Sequence, residues 1–242
     1  MWLWGFILVF AAIAAFSLAL FFSLPDVSDL KVRNPETTAL IKFRLKKARE
    51  NGTELTVNHT WISFENIPQL LKDTVRIAED ASFYQHKGID YYELKESIKK
   101  NLREKNFSRG GSTITQQLAK NLYLSTGKNI IRKIKEFFIA GRLEKNLTKS
   151  RIFEIYLNVI EFGPGIFGVQ AAARYFFGHS VSELDLEEIV RLTAVIPQPL
   201  STDPRKNNSW LRWRCRWLLH KLQLYKYISE EDLQGAIKLF EE

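Results

Sequence analysis

The stretch "RIAEDASFYQHKGID", residues 76–90, sets Glu79 and Asp80 side by side ahead of His86 and Gly88. Two carboxylates suggest acid–base chemistry, but sequence neighbours on a helix point about 100° apart, so this pair cannot share one proton as a dyad. One can face a cleft as a base while the other holds the local fold; a solvated acidic helix end is the competing account. His86 has no second histidine at metal-ligand spacing and reads first as a hydrogen-bonding group. In "SRGGSTITQQLAKNL", residues 108–122, Gly110-Gly111 permits a tight turn. Ser112 or Thr113 can cap the helix that follows, and Thr113 with Gln116 fits capping-box spacing. Thr113, Gln117 and Lys120 then share one face. A helix start with a hydroxyl, an amide and an ammonium in line suits an anion such as pyrophosphate. It is not a nucleotide phosphate loop, because no Gly-Lys-Ser/Thr ends the glycine turn. An ordinary capped surface helix is the plainer alternative. In "KNIIRKIKEFF", residues 128–138, Lys128, Arg132 and Glu136 follow at i, i+4 steps with Lys133 three before Glu136. Exposed helix salt bridges of about 0.3–0.5 kcal/mol each explain this pattern. Its functional rival is that these cations complete the anion site that Lys120 begins, with Glu136 steering them.

The elements that must carry these groups are mostly helices. Periodicity predicts helices over 38–50, 68–77, 113–124, 130–143, 148–160, 168–177 and 185–196. Gly178 stops the alanine-rich sixth of these, and the last begins with the capping-box pair Asp185 and Glu188 and ends at Pro197. Strand signals are few, the best being 55–64. The expected fold class is therefore mainly α.

From Trp2 to Leu24 no residue is charged. As a helix this run would be roughly 34 Å long, enough to cross a hydrocarbon core of about 30 Å. A signal peptide would have a basic start and a shorter apolar core. The expected organisation is an anchor over 1–24, a juxtamembrane stalk over 25–55 and a catalytic domain over 56–242. The first basic residues, Lys31 and Arg33, follow Asp26 and Asp29, so charge does not fix the orientation. A net charge of +8 suits an anionic partner, and 45% apolar residues suffice for a sizeable core. The single cysteine, Cys215, excludes an internal disulfide and a thiolate metal cluster.

Five blocks in order, "EDASFYQHKG", "RGGSTITQQLAKNL", "RKIKE", "KSRIFEIYLN" and "RLTAVIPQP", resemble the peptidoglycan glycosyltransferases of bacterial cell-wall synthesis over roughly residues 61–200. The resemblance implies a lysozyme-like, mainly α-helical fold with a larger head and a smaller jaw. It implies polymerisation of lipid II into β-1,4 glycan strands with inversion and release of undecaprenyl diphosphate. Glu79 matches the general base and Glu136 the family's second glutamate; Asp80, Phe83 and His86 match supporting positions. Arg109, Ser112, Thr113, Gln117, Lys120, Lys128, Arg132 and Lys133 match positions that meet pyrophosphate and sugar. Relatives often carry Arg where this chain has Lys128, which keeps the charge and loses a bidentate grip on phosphate. The resemblance requires no cofactor and no bound metal, with stimulation by a divalent cation (Mg or Mn) as an expectation. It places the chain in the bacterial inner membrane as a single-pass protein with its catalytic domain on the outer face. Lipid II, the growing glycan strand, the membrane and other cell-wall synthesis or division proteins are the expected partners.

The chemistry agrees with this resemblance. A sugar hydroxyl needs a positioned base, whereas a pyrophosphate leaves as a stable anion and mainly needs positive charge around it. A glycan-cleaving enzyme of lysozyme-like fold, such as a lytic transglycosylase, must instead protonate a poor leaving group, which calls for a second carboxylic acid. It would leave Lys120, Lys128 and Arg132 without a task. The stretch "SWLRWRCRWLLHK", residues 209–221, interleaves Trp210, Trp213 and Trp217 with arginines. It reads either as a helix packed on the body by its tryptophans or as an interfacial membrane contact. Nucleic-acid features are lacking. Ser97 and Lys100 match S-x-x-K, but the accompanying transpeptidase motifs are absent.

Overall fold

The structure is a computed structural model that describes residues 6, 7, 10, 18, 22–104, 111–124, 127 and 129–241. Ten helices lie among them: α1 (Ala39–Glu50), α2 (Gln69–Glu79), α3 (Tyr91–Glu104), α4 (Ile114–Tyr123), α5 (Ile130–Asn146), α6 (Lys149–Val159), α7 (Val169–Phe177), α8 (Leu186–Ala194), α9 (Ser209–Leu224) and α10 (Glu230–Ile237). The mainly α class holds. The apolar run at 2–24 falls mostly outside the described residues, among which no helix is long and apolar enough to cross a membrane.

Local chemistry sets the helix ends. Thr113 caps α4 through a complete capping box with Gln116, and Asp185 does the same for α8 with Glu188. Thr148 accepts from the Arg151 N–H at the start of α6. Helix α4 packs against α5 and α6, while α8 packs against α2 and α9. Leu71 and Val75 of α2, Ile114 and Leu118 of α4, Ile139 and Leu143 of α5 and Tyr156 of α6 all join one core.

The strand expected over 55–64 shrinks to β1 (Asn58–His59), because Trp61 and Ile62 pack on the core without extending a ladder. Two strands not expected from the sequence, β2 (Glu161–Gly163) and β3 (Ile166–Phe167), form a hairpin around Pro164-Gly165. Residues Asn58 and His59 pair in parallel with Ile166 and Phe167, giving the order β1-β3-β2. Asn158 of α6 fastens the segment after β1: its side chain accepts from the Ile62 N–H at 2.8 Å and donates to the Ile62 carbonyl at 2.9 Å.

Gly168 opens α7 at φ +83°, and a Cβ there would stand 2.5 Å from the Asn158 carbonyl oxygen. A Gly168→Ala variant is therefore expected to lose about 2 kcal/mol or more of stability. A denaturant midpoint equal to that of wild type would contradict this.

Parts of the segment 25–55, expected as a stalk, lie against the body. Leu24, Val27 and Leu30 enter the main core. Arg142 of α5 donates to the Leu24 and Pro25 carbonyls at 3.1 Å each. Arg151 of α6 donates to the carbonyls of Leu30 and Arg33 at 2.8 and 2.9 Å. Arg44 of α1 grips Glu161 of β2 with both arms of its guanidinium, at 2.7 and 2.6 Å.

Candidate active site

Glu79 is the last residue of α2, and Asp80 breaks the helix with φ −164° and ψ 76°. The break sends the two carboxylates different ways. Asp80 turns inward: its Oδ2 accepts from the Ile114 N–H at 2.9 Å, the first free amide of α4, and both oxygens meet His86 Nε2 at 2.9 and 3.1 Å. The Gly88 N–H donates to His86 Nδ1 at 3.2 Å, so Nε2 carries the ring proton and donates to Asp80. Asp80 thereby anchors the α4 N-terminus to the loop after α2. Phe83 is fully buried, 5.4 Å from the Phe153 ring, and belongs to the core behind the pair.

Glu79 points the other way. Its side chain is 11% exposed, and Oε2 accepts from Gln117 Nε2 at 2.9 Å. The Tyr156 hydroxyl donates to Gln117 Oε1 at 3.1 Å, which fixes the amide with its NH2 toward Glu79. Burial pushes the Tyr156 phenol well above its usual range, so it remains a donor. The remaining oxygen, Glu79 Oε1, is 3.9 Å from Arg214 Nη2, beyond hydrogen-bond reach. Burial raises the pKa of Glu79 against the opposing pull of the Gln117 hydrogen bond and the charges of Arg214 and Lys120. A buried carboxylate with an open oxygen and a raised pKa is a stronger base than a solvated one.

A cationic cluster lies within electrostatic reach of Glu79. Glu136 of α5, 2% exposed, accepts from Arg132 Nη1 at 2.8 Å and from Lys133 Nζ. Lys133 Nζ also donates to Ser112 Oγ at 2.8 Å, tying the cluster to the start of α4. Burial lowers the pKa of Lys120, with the pull of Glu136 and then Glu79 acting against it and Arg132 and Lys133 reinforcing it. Among the described residues the Lys120 ammonium makes no hydrogen bond or ion pair. Arg109 and Lys128 lie outside the described residues. Thr113 serves the fold: its hydroxyl donates to the Gly88 carbonyl at 2.7 Å and accepts from the Gln116 N–H at 3.2 Å. Gly111 lies close against α3, where an added Cβ would meet Ser97 Oγ at 2.9 Å.

Glu79 also lines a cleft of about 710 Å³, together with Asp80, Ser112 and Thr113 and with Trp213, Arg214 and Trp217 of α9; Ser112, which Lys133 contacts, joins it to the cluster. Lys120, Arg132, Lys133 and Glu136 are not in its lining. No group of three or more His, Cys, Asp or Glu side chains among the described residues could hold a metal ion. The sequence alone does not place α9 at this site. Arg214 sits three residues before Trp217 and four after Trp210, on the packed side of α9, and this i, i+3/i+4 spacing was the available signal. Its guanidinium stacks 4.4 Å from the Trp217 ring centroid. Replacing Arg214 by Met is expected to move the Glu79 titration to higher pH, since a cation that favours the ionised carboxylate is removed. Carboxyl carbon NMR across a pH series checks this, and an unmoved titration would refute the coupling.

The model of the transglycosylase family matches residues 47–223. The chain is 40% identical to the biosynthetic peptidoglycan transglycosylase of Nitrosospira multiformis over 221 residues, 91% of this chain and 95% of that protein. It is 45% identical to the protein of the same description from Nitrosomonas europaea over 193 residues, 80% of this chain and 79% of that one. A match over most of the chain, with the acid of α2, the capped α4 and the cationic α5 in one place, means that this chain belongs to the transglycosylase family.

Proposed function

We propose that the protein is a monofunctional peptidoglycan glycosyltransferase. It polymerises lipid II into glycan strands by β-1,4 linkage with inversion and releases undecaprenyl diphosphate. The observation that carries this reading is the position of Glu79, a buried carboxylate with one open oxygen that lines a cleft and lies within electrostatic reach of the Lys120 ammonium, which makes no hydrogen bond or ion pair among the described residues.

Glu79 Oε1 takes the proton of the acceptor hydroxyl as that oxygen attacks the anomeric carbon. The bond from this carbon to the diphosphate breaks, and the electron pair leaves on the diphosphate. Lys120, Arg132 and Lys133 meet the growing negative charge, and Glu136 holds the latter two in place. Gln117 fixes Glu79, while Asp80 and His86 hold the loop that presents it. Arg109, Ser112 and Lys128 border the diphosphate and sugar, and Thr113 holds the start of α4 beside them. This scheme uses no cofactor; a divalent cation (Mg or Mn) would stimulate it by screening the diphosphate.

The fold is read as lysozyme-like, with a head and a smaller jaw. Residues 2–24 anchor it in the bacterial inner membrane, with the catalytic body on the outer face, where lipid II, the glycan strand and other wall-synthesis or division proteins meet it. The segment over 25–55 joins anchor to body, and the catalytic domain covers 56–242. Cleavage of finished glycan is the less favoured reaction, since it gives Lys120 and Arg132 no leaving anion to meet. The deciding experiment supplies the purified protein with labelled lipid II and, separately, with finished glycan. Polymer from the first and unchanged length in the second is expected; shortened glycan without polymer would overturn the reading.

A further inference from the structure

The proposed chemistry assigns no task to the α9 wall of the cleft. Trp217 is half-buried, with Arg214 at 4.4 Å and Lys221 Nζ at 5.7 Å from its ring centroid. One turn earlier, Trp213 is 53% exposed, and among the described residues no ring or cation stacks on it. An exposed indole beside a buried, base-like carboxylate, in a cleft that also contains Lys221, has the makings of a binding anchor.

We infer that Trp213, backed by Trp217 and flanked by Lys221, is the platform for the acceptor saccharide, the N-acetylhexosamine that yields its hydroxyl proton to Glu79. The inference rests on Glu79 being the base. Inversion places the attacking hydroxyl and the departing diphosphate on opposite sides of the anomeric carbon. Glu79 presents two oxygens to different helices: Oε2 accepts from Gln117 of α4, the helix that carries Lys120, and the open Oε1 lies toward Arg214 of α9. With the diphosphate on the α4–α5 side, the acceptor enters from the α9 side. There the apolar face of a pyranose can lie on the indole, and the Lys221 ammonium can meet a carboxylate of the attached peptide.

The test uses the full chain in detergent, with lipid II as substrate and the lipid-free disaccharide-pentapeptide as a probe of the acceptor side. Trp213→Ala is expected to weaken probe binding, read by ligand-detected NMR, about tenfold, the equivalent of about 1.4 kcal/mol. The same change should raise KM for lipid II by a similar factor, with the smaller part of the loss in kcat. Trp213→Phe restores most of both, and Lys221→Glu weakens probe binding without touching the indole. Unchanged probe binding and KM in a Trp213→Ala protein with wild-type circular dichroism would overturn the inference. So would undetectable probe binding by wild type together with an unchanged KM. Should Trp213→Ala fail to fold, unchanged binding and KM in Lys221→Glu and full loss in Trp213→Phe would do the same. Normal polymerisation by Glu79→Gln overturns the base assignment instead, and probe binding at Trp213 is read apart from it.

Discussion

Glu79→Gln lowers lipid II polymerisation by about a hundred- to ten-thousand-fold, the range for loss of a general base, and leaves the folded protein more stable at neutral pH. The first effect follows from the hydroxyl losing its proton acceptor while the shape of the side chain is kept. The second follows from the sign of the pKa shift. Burial raises the Glu79 pKa in the folded state above its unfolded value. Stability associated with the protonated form is therefore fully present below the unfolded pKa and is lost as pH rises through the folded one. At neutral pH the ionised carboxylate is a cost to the fold, and glutamine removes it. The melting temperature of Glu79→Gln should exceed that of wild type at neutral pH, with the gap closing as pH falls below the ordinary carboxylate range. In wild type, polymerisation falls as pH drops through the raised pKa. An active Glu79→Gln enzyme, or one less stable at neutral pH, contradicts the assignment.

Lys120→Met is expected to lower kcat about a hundred- to thousand-fold, the range for removing one preorganised charge from a transition state. Again stability should not fall. The Lys120 pKa is depressed in the folded state, chiefly by burial. Its contribution to stability is present above the unfolded lysine pKa and is lost as pH falls through the depressed value, so at neutral pH the charged ammonium already disfavours folding. Methionine fills a similar volume without that charge. A second effect separates this variant from a simple loss of binding: Lys120 also holds the Glu79 pKa down, so the acid limb of the rate profile should move to higher pH. Lys120→Arg should recover part of the rate. An enzyme with near-wild-type kcat and an unmoved acid limb would remove Lys120 from the leaving-group site. Base and cation are thus both held in charge states that the fold disfavours, as a site selected for activity rather than stability would hold them.

What could be read in the sequence was local. The capping boxes at Thr113 and Asp185 lie within four residues of sequence, and both formed as expected. The adjacency of Glu79 and Asp80 was enough to predict that they diverge, and the α2 break makes them do so. Two-residue strands have no period to detect, so β2 and β3 were missed, although Pro164-Gly165 marked a turn. Long-range placement was the larger omission. Arg214 reaches the Ala78 carbonyl across 136 positions of chain, and nothing near residue 214 announces a carboxylate partner. Thr113 shows the opposite limit, since its place on the Gln117 and Lys120 face suggested a ligand contact. Its hydroxyl donor is instead engaged by Gly88, a partner that only the folded chain supplies. The segment before α1 looked like a tether because of its mixed charge, yet Leu24, Val27 and Leu30 recur every third residue and are buried.

That last packing has a mechanical consequence. Arg142, which clasps the carbonyls of Leu24 and Pro25, rides on the same helix as Arg132, Lys133 and Glu136. Strain applied upstream of residue 24 would meet no slack before reaching the groups that receive the anion. It would tilt the whole helix as a lever arm rather than stretch a leash.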